Sequence, residues 1–289
     1  MNTGTSTKSD IVTESSKHDL TSNDGGCANC GRVIDVPGQK FCPDCGLPTP
    51  AHRIDWEFLS HEIQHSILHV DKGILFTIKE LLTRPGHMIR EYIHGKRGGH
   101  IKPFLMIMIL GTVVTLLSKF FLGTSLINSW VNIKKTPTAA ELAEVRSEVG
   151  FDAMGFVESF TDIGNWMNDH FAISTLLLLP FAALALKLAF RKFRDINYPE
   201  WLVIATFLLA QIFVIFGVGL IVRKWFPDAR GIFFAISAIA NAVTLMQYFQ
   251  DYPRWKSALR TVLGYVIFFF FNSVIVATIV FTLIGIFKQ

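Results

Sequence analysis

The sequence predicts an all-α polytopic membrane protein with about five transmembrane helices, preceded by a small N-terminal cysteine ribbon and amphipathic interfacial helices. Three observations lead there. Apolar residues make up 51% of the 289 residues and charged ones only 17%. From about Phe104 the apolar residues gather in runs near the ~20 residues that cross a bilayer. All four cysteines lie between Cys27 and Cys45 in paired spacing, which points to metal in a reducing compartment over a disulfide framework. Between these regions, residues 53–100 place apolar side chains at helical spacing, punctuated by Gly and Pro.

Residues 1–26 are rich in Ser, Thr, Asp and Lys. They cannot bury enough surface to offset the entropy of ordering and are expected to be a disordered tail. They also lack the apolar core of a signal peptide, so the first spanning helix is expected to act as its own insertion signal.

Residues 27–47 contain two knuckles, Cys27-Ala28-Asn29-Cys30-Gly31 and Cys42-Pro43-Asp44-Cys45-Gly46. A C-x-x-C turn offers two sulfurs to one ion, and the Gly that follows permits the tight backbone around it. Four thiolates suit a tetrahedral, borderline-soft ion, so Cys27, Cys30, Cys42 and Cys45 are expected to hold one structural Zn2+. A module this small has almost no core, and the metal would supply its folding energy. A redox pair usually occurs once, beside a βαβ pattern that is absent here. Only Arg32 and Lys40 are basic within the module, so a protein contact is expected of it and a nucleic-acid contact is not.

His61-Glu62-Ile63-Gln64-His65 matches the zinc-protease pattern H-E-x-x-H. A bare match is weak. On a helix from Ile54 to Val70, the residues Trp56, Leu59, Ile63, Ile67 and Val70 form an apolar stripe, and His61, His65 and His69 lie opposite. His61 and His65 can reach one ion from consecutive turns, with Glu62 as base. A third ligand is missing: His69 lies ~12 Å of axial rise from His61 on the same helix, and no metzincin extension follows. The segment therefore reads as an interfacial helix with a titratable face, and no catalytic residue is assigned.

Asp71-Lys72-Gly73 then breaks the helix. Ile74, Leu75, Ile78, Leu81 and Leu82 form a second apolar stripe, and Arg84-Pro85-Gly86 breaks again. Met88, Ile89, Tyr92 and Ile93 make a third, stopped by Gly95 at the usual C-terminal position. Gly95-Lys96-Arg97 and Lys102-Pro103 lead into the first span. A short four-cysteine ribbon, then HSILHVDKGILFTIKELLTRPGHMIREYIHGKR, then a Pro and several spans resembles the domain-of-unknown-function 3667 family. The matching elements are Asp71-Lys72-Gly73, Thr77, Leu81, Arg84-Pro85-Gly86, Tyr92, Gly95-Lys96-Arg97 and Pro103. The resemblance implies bacterial membrane proteins with an N-terminal zinc ribbon and brings no established activity. The family's second knuckle often ends in Gly-Gln; here Gly46-Leu47 differs at a surface contact, not at a ligand.

Spans are expected at about 104–126, 172–190, 201–222, 231–250 and 261–287 within a bundle covering 104–289, with Trp130, Trp166, Tyr198, Trp201, Trp225, Tyr252 and Trp255 as interfacial anchors. Four or six spans are the alternatives. Arg84, Arg90, Lys96, Arg97 and Lys102 share a side with Arg191, Lys192 and Arg194 and with Arg254, Lys256 and Arg260 if there are five spans. The acid-rich loop 127–171 lies opposite. Arg223, Lys224 and Arg230 dissent. This pattern predicts the N-terminus in the cytosol, and the resemblance implies that the membrane is the inner membrane of a bacterium.

Polar residues within the spans include Gln211, Asn241, Gln247, Asn272 and Ser273, with no Asp or Glu. Asn241 and Asn272 are read as hydrogen-bonding glue between helices ahead of a substrate site. The preferred function is a partner-binding or assembly module, in contact with lipid and a protein partner, with oligomers allowed. The alternatives are a small-solute channel or transporter, and a zinc hydrolase using His61, His65 and Glu62.

Overall fold

A computed structural model describes residues 19–20, 26–34, 39–49, 51–60, 73–123, 164, 166–167 and 170–287. The chain divides into two compact units, Met1–Lys102 and Pro103–Gln289.

In the first unit, strand β1 (Asp19–Leu20) pairs antiparallel with β2 (Ala51–His52). Asp19 and Leu20 fall in the stretch expected to be a disordered tail, most of which lies outside the described residues. Residues 56–60 are helical, started by Asp55, whose Oδ1 accepts the Phe58 N–H at 2.8 Å. Here Leu59 is buried as expected, but Trp56 is exposed and Ile54 is buried. Ile54 precedes the helical turn, and Ile63, Ile67 and Val70 of the expected stripe lie outside the described residues.

Helix α1 (Ile74–Thr83) and helix α2 (Pro85–Ile93) form a hairpin hinged at Arg84. Pro85 suits the first helical position, where its missing N–H costs nothing. Met88, Ile89, Tyr92 and Ile93 are all buried, so the third stripe is as read. On α1 the buried positions are Thr77 and Leu81, and Leu75 and Leu82 stay exposed. Gly95 ends α2 with a φ of 99°, a conformation that favours glycine.

The second unit is a bundle of α3 (Pro103–Leu122), α4 (Phe171–Ala189), α5 (Tyr198–Arg223), α6 (Arg230–Tyr248) and α7 (Arg254–Phe287), with a 3-10 turn at Pro227–Ala229. Among the described residues, four helical stretches are long and apolar enough to cross a membrane: Pro103–Leu122, Tyr198–Arg223, Pro227–Tyr248 and Arg254–Ile279. The fifth expected span is the shorter apolar stretch Ile173–Ala189. Set on α4, with its 19 residues at ~1.5 Å each, it comes close to the ~30 Å hydrocarbon thickness. The chain thus fits a multi-pass membrane protein.

Helix α7 begins seven residues before the expected 261, because Arg254 to Arg260 continue the helix beyond its apolar part. Helix α5 also starts early, at a capping box. Asn197 Oδ1 accepts the Glu200 N–H at 2.9 Å, and Glu200 Oε2 accepts the Asn197 N–H at 2.8 Å. Central in the bundle, α5 packs on α3, α4 and α6, while α7 closes against α4 and α6.

Trp201, expected as an interfacial anchor, is fully buried, and its ring lies 5.8 Å from Phe190. Phe190, Phe193 and Phe249 stack at centroid distances of 4.9 and 4.2 Å. They join the α4–α5 and α6–α7 connections at one end of the bundle. There Lys192 sits over the Tyr252 ring, and Arg260 donates to the Ala189 carbonyl at 3.3 Å. Lys224 lies over Phe121 at the opposite end. The two basic connections thus share one end, and the dissenting Arg223, Lys224 and Arg230 occupy the other.

Candidate metal centre and its mount

The two knuckles are near copies. In the first, Cys27 N–H donates to Arg32 O at 2.7 Å and Gly31 N–H to Cys27 O at 2.9 Å. In the second, Cys42 N–H donates to Leu47 O at 2.7 Å and Gly46 N–H to Cys42 O at 2.9 Å. Gly31 and Gly46 have φ values of 75° and 70°. The turn needs the left-handed region there, which glycine enters without steric cost. Bridges Gly26–Val33 and Phe41–Pro48 close each loop, and Thr49 ties back through its N–H to Lys40 O and its hydroxyl to Gln39 O.

The result brings the four sulfurs within 4.8 Å of one another. Cys27 Sγ and Cys45 Sγ are 3.6 Å apart, and Cys30 Sγ and Cys42 Sγ 3.5 Å. A disulfide would need ~2.05 Å. A tetrahedron of Zn–S bonds of ~2.3 Å has edges of ~3.8 Å. The four cysteines can hold a metal ion.

The thiols also shift one another's ionisation. The backbone N–H of Arg32 stabilises a Cys30 thiolate, yet burial and its three thiol neighbours outweigh that and push its pKa up to about 12. At Cys45 the Leu47 N–H dominates, and with Asn29, Cys27 and Cys42 it brings the pKa down to about 7 despite burial. One thiolate is stabilised at the expense of another. Turning all four sulfurs into thiolates at this spacing would need a cation to neutralise them.

The ribbon is mounted on the turn that follows α2. Asn29, a spacer of the first knuckle, hydrogen-bonds Cys45 with its side chain and accepts the Gly98 N–H on Oδ1 at 3.0 Å. A Cβ on Gly98 would come within 2.5 Å of Asn29 Nδ2. Arg97 supplies the second joint. Its Nη2 donates to His52 O at 3.0 Å and its Nε to Tyr92 O at 3.2 Å, and its guanidinium lies 4.3 Å from the Phe58 ring centroid. A planar fork with several donors and a stacking face meets all three demands.

The turn is in turn held to α1. Thr77 Oγ1 donates to Gly73 O at 2.8 Å and accepts the buried Ile101 N–H at 3.0 Å. A Cβ on Gly73 would collide with the Gly99 carbonyl. At the hinge, Arg84 pairs with both Glu80 and Glu91, and Lys96 reaches Glu91 at 2.8 Å. Burial opposes ionisation of Glu91, but Lys96 and Arg84 outweigh it and keep its pKa below the ordinary value. His100 packs against Phe76 and Tyr92 in a cleft beside Arg97. Burial chiefly lowers its pKa.

Sequence reasoning named the four cysteines that the structure brings together but missed Asn29, Gly98 and His100. Gly98 lies 69 residues from Asn29, and nothing local marks either as a joint. His61, Glu62, His65 and His69 lie outside the described residues, as does most of loop 127–171. In the bundle, Thr244 Oγ1 donates to Gln211 Oε1 at 2.9 Å, and Asn241 Nδ2 donates to Tyr265 Oη at 2.7 Å. These bonds join α5 to α6 and α6 to α7, the gluing role read for Asn241.

Residues 71–115 match the family described as "Protein of unknown function (DUF3667)", the family that this stretch resembles. The match takes in α1, α2, the Gly95–His100 turn and the first part of α3, and leaves the four cysteines outside it. No curated protein matches the chain, and no solved structure does.

Proposed function

We propose that this is a bacterial inner-membrane protein whose cytosolic zinc ribbon binds a protein partner and organises an assembly around it. One observation carries the reading. The ribbon is anchored at Asn29 and near Arg97, yet it keeps two large apolar side chains in the open, Val33 at 58% and Phe41 at 59% exposure. Both sit at the bridges that close the knuckles, where the local backbone is tied. Apolar groups held on a tied surface suit docking, since little ordering entropy remains to be lost.

Zinc is supported by the all-sulfur donor set and the near-tetrahedral spacing, and a cytosolic ribbon by free thiols and the basic connections at one bundle end. The metal holds the shape and does no chemistry. The test is affinity capture from membranes with the tagged full-length chain, comparing wild type with Val33→Asp/Phe41→Asp. A reproducible protein should be lost from the variant while one zinc per chain is retained. Cys27→Ser should lose the zinc, and His61→Ala should keep it. Capture that ignores Val33 and Phe41, or wild-type protein that purifies without metal, would refute the proposal.

A further inference from the structure

A cavity of about 130 Å³ lies inside the bundle, walled by Leu179 of α4, Leu208 of α5, Leu245 of α6 and Phe268 of α7. Cavities of ~150 Å³ with such walls stay dry and take up apolar molecules. Only three polar side chains share the lining, Asn241, Thr261 and Tyr265. Thr261 is spent on its own helix, donating to Ser257 O at 2.9 Å. Asn241 and Tyr265 are not fully spent. The Asn241 amide gives Nδ2–H to Tyr265 Oη, while its Oδ1 has no hydrogen-bond partner, although Asn241 is only 3% exposed. Tyr265 accepts in that bond, which leaves its own O–H to donate. If the amide is turned over, Tyr265 donates to Oδ1 and the Asn241 N–H groups are left unspent. Either way, one amide end is orphaned.

An unmet polar group in hydrocarbon is costly. Sequence position says what can meet it. Asn241 lies eleven residues into α6, ~16 Å along a helix of ~28 Å, far from both membrane surfaces. A charged headgroup does not reach that depth without a heavy cost. A water-soluble solute would find aliphatic walls and a single polar spot. We propose that the cavity binds an apolar chain bearing one uncharged hydroxyl, a long-chain alcohol or a neutral glyceride, with the hydroxyl bonded to the Asn241–Tyr265 pair. A hydroxyl both donates and accepts, and so completes the pair in either amide orientation. The cavity is open on one side, which leaves a way out for the rest of the chain.

The test uses the purified full-length protein in nanodiscs and two probes, hexadecanol and hexadecane, each carrying a diazirine. Cross-linked peptides are mapped by mass spectrometry. Hexadecanol should label the segments around Leu179, Leu208 and Phe268, compete with unlabelled hexadecanol, and exceed hexadecane there about three- to ten-fold, the yield of one or two hydrogen bonds. Tyr265→Phe and Asn241→Leu should erase that preference and leave hexadecane labelling unchanged, whereas Ala182→Phe should reduce both. Equal labelling of wild type by the two probes would mean bulk lipid only and would overturn the proposal. Since that comparison needs no variant, it decides the matter even if every substituted protein fails to fold. A diacylglycerol that displaces hexadecanol, against a fatty alcohol that does so better, separates the two sources.

Discussion

If Asn29 couples the metal centre to the turn after α2, substituting either end of the Asn29–Gly98 contact should weaken metal binding, and substituting both should do little more than one. Asn29 makes two bonds. Its acceptance of the Gly98 N–H contributes ~0.5–1.5 kcal/mol, and its bond to the Cys45 sulfur ~1.5–3 kcal/mol when that sulfur is a thiolate. At ~1.4 kcal/mol per decade, the sum bounds the effect near a thousand-fold. Groups that orient metal ligands typically change affinity by ~10–100-fold, and Asn29→Ala is expected in that range. Gly98→Ala should act through the same side chain. Its methyl would stand 2.5 to 2.8 Å from three atoms of Asn29, so the amide must leave. With Ala at 29 there is nothing to displace, and the second substitution becomes nearly silent. The assay is zinc competition with a chromophoric chelator, run on the purified full-length chain for all four proteins of the cycle. Additive losses, or a harmless Gly98→Ala, would show that the contact does not bear on the metal.

The remaining expectations concern the hairpin. Thr77→Val keeps the shape but strands the buried Ile101 N–H, so it should cost ~1–3 kcal/mol and lower the thermal midpoint of the first unit's unfolding, while Thr77→Ser should recover most of it. Acid should loosen the same region in two steps. His100 has a folded pKa below its unfolded one, so its contribution is complete above ~6.5 and is lost as pH falls through the folded value; Glu91 is likewise depressed and loses its contribution below ~4.3. Melting at a series of pH values should show the upper step in wild type and not in His100→Gln. Arg97→Lys keeps the charge but cannot make two carbonyl bonds and stack on Phe58 together. It should therefore increase proteolysis around residues 51–60 as much as Arg97→Gln does; full protection in Arg97→Lys would show that charge alone suffices.

What was legible in the sequence follows the range of the physics behind it. The knuckles are local: each needs two cysteines, a glycine with positive φ and hydrogen bonds over a few residues, and the spacing states all of this. Bilayer-crossing stretches are also local, because length and apolarity suffice. Misjudged details came from contacts between distant segments. Trp201 looked like an interfacial anchor because aromatics near span ends usually are, but Phe190 and Phe249 cover it. Leu75 and Leu82 looked inward-facing, and the buried polar Thr77 took the inner position instead because it holds the Ile101 N–H. Asn29 looked like a spacer since its partner is remote in sequence.

The basic residues before the first span show how one set of charges can act differently before and after folding. At insertion the chain is not yet packed, and Arg84, Arg90, Lys96, Arg97 and Lys102 all count toward orientation. In the folded unit, Arg84 and Lys96 are neutralised by Glu80 and Glu91, and Arg97 is bound to two carbonyls and stacked on Phe58. Among the described residues, Arg90 and Lys102 alone of the five have neither an ion pair nor a stacking partner. Attraction to anionic lipid at ~1 kcal/mol per cation then falls to about three-quarters of what Arg90, Lys96, Arg97 and Lys102 would provide together, and Arg97 is no longer free to follow a headgroup. The cluster is thus better suited to orienting the nascent chain than to holding lipid afterwards, and its folded role is to hold the hairpin and the ribbon together.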